Sequence, residues 1–450
     1  MRGRAPAPAA VARASCMNAT FDLRVLLSRL AALAAVCASL SGCGGVEVEI
    51  GGGASAPPPS SGGGGGGSVA SAPPALMAAG TRHTCVVDSA HTVWCWGANN
   101  LGQLGNGTRL DSAKPLQVPG LQDVTAITAG GDHSCALLDN GSIQCWGAGE
   151  LGQLGQGRFA DSLEPVAVAG LTTAALSVAA GRTHTCATTD DGKVRCWGSN
   201  ASGQLSRPTT GVDAVASSRL PLLIPGLAGS TVVLGAGGDH TCAARAQGTP
   251  RCWGANAQGQ LGNGTAGAVG TALDVQGLSG SVVALAGGNT HSCAILDTGA
   301  MFCWGSNTLG ELGTGTASTA PSLIAVQVTS LTGRDFTALS LGDKFSCALA
   351  PLRVQQVGTA VCWGQNTNGE LGQDSLGAGD DVGLASSAAP LEVRTIGLFD
   401  FVAIGSGDNH SCAIDSTDRI RCWGVNADGQ LGNGVPSAKE DVPARVIGFL

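Results

Sequence analysis

The stretch GDHSCALLDNGSIQCWGAGELGQLGQG, residues 131–157, is one of seven near-copies in this chain. A chain built this way folds as stacked modules rather than around one irregular core. The Cys-Trp-Gly triplet stands at Cys95, Cys145, Cys196, Cys252, Cys303, Cys362 and Cys422, at intervals of 50–60 residues. That period accommodates a four-stranded blade with its loops. An open solenoid needs polar capping repeats at both ends, and the terminal copies show none. The expected fold is all-β: a seven-bladed β-propeller of four-stranded blades over residues 75–450.

A second recurring segment sets an expectation about how the ring closes. Pro115–Leu121 (PLQVPGL) has counterparts at 165–171, 221–227, 272–278 and, more loosely, 325–331 and 390–398. Each precedes a Gly-x-x-His-x-Cys motif. The first such motif, Gly80 to Cys85, has none before it, whereas PARVIGFL, 443–450, follows the last triplet. The C-terminal strand is therefore expected to complete the first blade and hide the sheet edges that an open stack exposes.

Fourteen of the 17 cysteines lie between 85 and 422, in seven pairs. In the quoted copy, Asp139-Asn140-Gly141 is a tight hairpin turn. Residues equidistant from Asn140 face each other across it, which opposes Cys135 and Cys145. The same spacing opposes Cys85 and Cys95, Cys186 and Cys196, Cys242 and Cys252, Cys293 and Cys303, and Cys412 and Cys422. Cys347 and Cys362 are separated by a longer loop. Opposed Cα atoms fall within disulfide reach, and rings this short are each stabilised by roughly 2–3 kcal/mol on bridging. A zinc reading is the alternative: His133 shares a strand face with Cys135, and Cys145 stands opposite. That gives three ligands where a structural site wants four, so no metal is expected.

The histidine recurs as His83, His133, His184, His240, His291 and His410, and Phe345 replaces it in the sixth copy. A position that accepts phenylalanine reads as packing with a hydrogen bond where one is available. Trp146 follows Cys145 and so points to the opposite strand face; it is expected to fill the wedge between blades and donate its N–H to a loop. The Gly-Gln-Leu-Gly-x-Gly tail follows no βαβ pattern and carries no Lys-Ser/Thr, so it is no phosphate loop. Its glycines suit positive-φ turns, with Leu104 and Leu154 as core plugs. No cofactor is expected.

Residues 1–42 read as an export signal of the lipoprotein type, with Met17 as an alternative start. The apolar run 30–42 follows Arg24 and Arg29 and is too short to span a bilayer. It ends in Leu40-Ser41-Gly42-Cys43, which resembles the bacterial lipobox and implies lipidation at Cys43. The alternative is an ordinary signal with an incidental cysteine. Residues 43–74 are a Gly/Pro/Ser linker with little to bury and an r.m.s. reach of about 30 Å. The expected location is the cell envelope, at the outer membrane or cell surface, with the membrane met through the lipid alone. The net charge is −8, and no basic stripe marks a nucleic-acid footprint.

The motif Trp-Gly-x-Asn-x-x-Gly-Gln-Leu-Gly-x-Gly stands at 96–107 (WGANNLGQLGNG), 253–264 (WGANAQGQLGNG) and 423–434 (WGVNADGQLGNG). Together with the Ala-Gly-x-x-His-Ser/Thr-Cys half, it resembles the regulator of chromosome condensation repeat family over about 75–450. The resemblance implies a seven-bladed propeller. It also implies a choice among activities, from the founder's guanine-nucleotide exchange to protein-binding platforms; exchange is not expected of an exported acidic chain. The expected function is a monomeric, non-catalytic binding or scaffold module that grips a protein or glycan. The variable segments 206–220, 265–272, 316–322 and 374–389 are the candidate contact loops. A passive structural lipoprotein and a propeller enzyme are the alternatives, and no catalytic residue stands out from the repeat.

Overall fold

The computed structural model describes residues 76–448 except 228–230, 246–247, 268, 330–333, 352–357, 374–383 and 395–399. The signal segment 1–42, Cys43, the whole of the linker to residue 74, and most of 374–389 lie outside the described residues.

The hairpin at the centre of each repeat forms as its spacing requires. His133–Leu138 and Ile143–Gly147 pair antiparallel around a turn in which Gly141 takes a φ of 76°. The register sets Leu137 against Ile143 and Cys135 against Cys145. Leu138 and Ser142 are a hydrogen-bonded pair, so the cysteines fall on a non-hydrogen-bonded rung, where opposed side chains come closest. The two Sγ atoms are bonded, and the Cα atoms are 4.0 Å apart. The other six pairs are opposed and bridged in the same way, with Cα separations of 4.0–4.1 Å. That is tighter than the ~4.5 Å of an unbridged rung, because the covalent link draws the strands together.

One strand is added on each side of every hairpin. In the first blade the order is β1 (Met77–Ala79), β2 (His83–Val87), β3 (Val93–Gly97) and β4 (Ser112–Gln117). Among the described residues, seven sheets repeat this order, each with four consecutive strands. They span 77–117, 124–167, 175–223, 231–274, 282–327, 338–392 and 401–445. The first strand of each lines a central channel of about 280 Å³. No described helix is long and apolar enough to cross a membrane.

The closing strand expected from the sequence is not there. The last strand, Lys439–Arg445, pairs with Ile420–Val425 of its own blade, with Cys422 against Ala444. The Pro115 segment likewise belongs to the blade before it, with Cys95 against Leu116. Its nearness in sequence to the following Gly-x-x-His motif is only a short blade-to-blade connection. The fourteen-residue loop between Gly97 and Ser112 separates true partners.

Closure comes instead from packing between blades and from bonds such as Gly434 N–H to the Ala113 carbonyl at 2.9 Å. Each hydrophobic cluster straddles two blades: Cys85, Val93, Leu104 and Val118 of the first pack with Val124, Ile127, Ala136 and Trp146 of the second. The same arrangement joins Met77, Val86 and Trp96 to Ile414, Ile420, Leu431 and Val446, sealing the seventh blade to the first.

Candidate functional site

The repeated polar residues are consumed by the frame. Trp146 is fully buried and donates Nε1–H to the Gln103 carbonyl of the preceding blade at 2.9 Å. All seven repeat tryptophans do the same at 2.8–2.9 Å, including Trp96, which reaches back to Gln430 in the last blade. A relay of histidines runs beside them. His133 Nε2 lies 2.9 Å from Thr185 Oγ1 in the next blade. The Thr185 hydroxyl gives its one proton to the Gln153 carbonyl at 2.9 Å, so it must accept from His133 Nε2–H. The same step recurs from His83 to Ser134, His240 to Ser292, His291 to Ser346 and His410 to Thr84. His184 meets Thr241 at 2.8 Å.

Each of these imidazoles is therefore neutral, with Nδ1 buried and unpartnered. Burial, reinforced at His83, His184 and His240 by neighbouring imidazoles, lowers their pKa to about 3 at His83, His184, His240 and His291. At His133 and His410 burial lowers it to about 4. Room for each ring comes from the glycine three residues before it: a Cβ on Gly130 would lie 2.3 Å from both His133 Cε1 and the Gly181 carbonyl. Where Phe345 breaks the relay, Ser411 of the seventh blade takes Ser406 Oγ, 3.0 Å away, in place of an imidazole.

What the frame leaves over gathers on one face. The turns between first and second strands and the loops between third and fourth strands emerge at the same end of every blade. The turns are locked into a crown: Thr81 N–H donates to Gly131 O, Gly131 to Arg182, Arg182 to Gly238, Asn289 to Asp343 and Asp343 to Asp408, at 2.9–3.3 Å. The crown frames the channel mouth. Arg182 lies over it and makes long ion pairs to Asp408 (3.6 Å) and Asp343 (3.9 Å) from blades seven and six. Burial raises the carboxyls of Asp132, Asp239 and Asp408; the Arg182 guanidinium works against that rise at all three, and Arg82 does so more strongly at Asp132. Gln103 Nε2 donates to Asp132 and Gln204 Nε2 to Asp239, at 3.3 and 3.2 Å. Among the described residues no group of three or more His, Cys, Asp and Glu side chains is arranged to hold a metal ion.

The four variable segments all lie between third and fourth strands, so the structure brings their described parts to this same face. Their C-terminal portions are strand rather than loop: 217–220, 269–272, 318–322 and 386–389 open the fourth strands of their blades. The mouth residues were missed by the sequence reading. Each occupies one of the two positions before the relay residue, and only ring closure makes neighbours of Asp132, Arg182, Asp239, Asp343 and Asp408. The available signal was the scatter of charge at those two positions inside an otherwise fixed motif.

A model of the RCC1-like domain matches residues 68–383, and the regulator of chromosome condensation (RCC1) repeat matches 358–414 and 401–430. The Ultraviolet-B receptor UVR8 of Arabidopsis thaliana is 28% identical over 365 residues, covering 80% of this chain and 78% of that protein. The E3 ubiquitin-protein ligase HERC2 of Homo sapiens is 29% identical over 267 residues, which is 58% of this chain and 5% of HERC2. Among solved structures, Prp20p of Saccharomyces cerevisiae superposes with a TM-score of 0.67 at 22% identity, covering 78% of this chain and 85% of its own. Human WBSCR16 gives 0.68 at 21% identity, covering 79% and 93%. At these identities the two structures speak to the fold alone.

Proposed function

This chain belongs to the RCC1-like domain family, and from that membership we propose that it is a non-catalytic platform gripping a protein through the face of its third-to-fourth-strand loops. One observation carries the reading. Each of the six repeat histidines and all seven repeat tryptophans bond to a neighbouring blade, and all seven disulfides staple the hairpin within a blade. The segments free to vary share one face with the channel mouth. Prp20p, of like fold, binds Gsp1p and histones, which supports a protein-binding role for this chain.

The founder's exchange activity is not carried over, because the residues shared with the family are those of the frame. Seven bridged cysteine pairs suit an oxidising compartment. In this reading residues 1–42 direct export, Cys43 carries the lipid and 43–74 hold the propeller away from the envelope surface. A glycan in place of the protein partner, and a passive envelope role, are the alternatives.

The test is cross-linking capture from envelope extracts with the full chain, compared with a variant in which 207–215 and 374–385 are replaced by short Gly/Ser turns. One stoichiometric partner, lost in the variant, is expected. A partner retained at full yield, or none under mild cross-linking, overturns the reading.

A further inference from the structure

The loop-bearing face is not uniform around the ring. Large apolar side chains stand bare on one arc of it: Val435 on blade seven, Leu110 on blade one, Leu151 and Phe159 on blade two, Val212 and Leu220 on blade three. Val212 is fully exposed, Leu110 is 75% exposed and Val435 67%. The corresponding loops of blades four and five carry Thr265-Ala266-Gly267 and Thr316-Ala317-Ser318, with nothing bulky. The arc is continuous across blades. Arg109 ties the first loop to Asp161 of the second at 3.2 Å, and Arg219 of blade three stacks over Phe159 of blade two with 5.6 Å to the ring centroid. Large exposed apolar side chains gathered on neighbouring blades mark an interaction site.

The centre of the same face has an opposite character. Four blades contribute Asp132, Asp239, Asp343 and Asp408, and two guanidiniums serve them: Arg182, 3.6 Å from Asp408 and 3.9 Å from Asp343, and Arg82, which acts on Asp132. The mouth already accepts the Arg182 guanidinium, and its four carboxylates outnumber the two guanidiniums beside them. It is complementary to a further cation held in a partly desolvated recess, where charge is poorly screened.

We propose that this face docks a polypeptide presenting a lysine or arginine close to an apolar side chain. The cation enters the mouth beside Asp132 and Asp408, and the apolar group covers the arc between Leu110 and Leu220. The proposal rests on the platform reading and narrows it to a basic and apolar partner segment. An anionic lipid surface would use the arc but be repelled by the mouth.

A random dodecapeptide display library, panned on the immobilised oxidised full chain, tests it. Two variants serve as comparators: Asp132→Asn with Asp408→Asn, and Phe159→Ser with Leu220→Ser. Intact mass and far-ultraviolet circular dichroism establish that both are folded and bridged. Enriched peptides are expected to carry Lys or Arg within two residues of Leu, Ile, Phe or Trp. Their affinity should fall about tenfold or more in each variant and as NaCl rises from about 50 to 500 mM. Peptides free of Lys and Arg, or equal binding to the Asn variant with loss in the Ser variant, overturn the cationic requirement and leave the platform standing. Capture unaffected by either variant, or no enrichment over the Ser variant, overturns the proposal and the choice of face together. Binding of the wild-type chain to phosphatidylglycerol vesicles, abolished in the Ser variant, replaces the polypeptide by a membrane and also overturns it.

Discussion

Acidification should unfold this propeller through its histidine relay. Six imidazoles are held neutral and buried, with folded pKa values of about 3 to 4; in the unfolded chain each returns to about 6.5. A base whose pKa is depressed by folding binds its proton preferentially in the unfolded state. The stability it contributes is complete above about pH 7 and is lost as pH falls through 6.5 toward the folded value. Between pH 7 and pH 5.5 the loss is about 1.3 kcal/mol per histidine, or roughly 8 kcal/mol for the six together. That is comparable with the whole stability of many domains. Asp132, Asp239 and Asp408 act in the opposite sense, because their raised folded pKa values favour the native state at low pH; they offset part of the loss at the acid end of the window. The assay is guanidinium denaturation of the oxidised protein in steps from about pH 7.5 to 5, with proton uptake on unfolding taken from the slope of stability against pH. Close to six protons are expected at about pH 5.5. His133→Phe, which copies the phenylalanine the sixth blade already carries, should remove about one of them. Uptake below about two protons, or an unchanged slope in His133→Phe, would refute the neutral relay.

Two further outcomes follow from the frame and the tether. Ser206 holds φ at 51°, where the six other copies place glycine at 64–66° against the next tryptophan, so Ser206→Gly should raise stability by roughly 0.5–1 kcal/mol, read as a higher thermal midpoint; a lower midpoint would contradict the strain. Full reduction of the exported protein should add two hydrogens per bridge at all seven pairs, and its intact mass should carry a diacyl or triacyl increment on Cys43; free thiols, or an unmodified N-terminus, would remove the proposed address.

The sequence made the repeat's local chemistry legible and hid what depends on the whole circle. Cys135 and Cys145 could be paired because the Asn140 turn fixes a two-residue periodicity on both sides of it. Trp146 could be sent into the wedge because it follows Cys145 on the strand. The hydrogen bond of His133 was expected, but its partner, Thr185, lies in the next blade and becomes a neighbour only when blades stack. The closing strand was misassigned for a related reason. Pro115 is near Gly130 in sequence and far from Cys95, yet a long loop that packs on the neighbouring blade brings it back to Cys95. The mouth was invisible because five single residues from five blades have no common sequence signal.

Variation inside the frame and variation in the loops differ in kind, and that difference is what points outward. Gln103 and Gln204 reach Asp132 and Asp239 with their amides. In two blades the glutamine is replaced by a buried glutamate, Glu311 or Glu370, whose backbone carbonyl keeps its place as acceptor for Trp363 or Trp423. A carboxylate there could not donate to an aspartate and would repel it. The residues in the register of Asp132 are then Lys344 and Asn409, a cation and an amide. Ser406 answers Phe345 in the same way, supplying Ser411 with the partner the missing imidazole leaves vacant. These departures within the frame are each paired with a second departure that shares their register or touches them. Val212, Leu110 and Val435, by contrast, stand bare in the loops, 103%, 75% and 67% exposed, as expected of side chains whose complement belongs to another molecule.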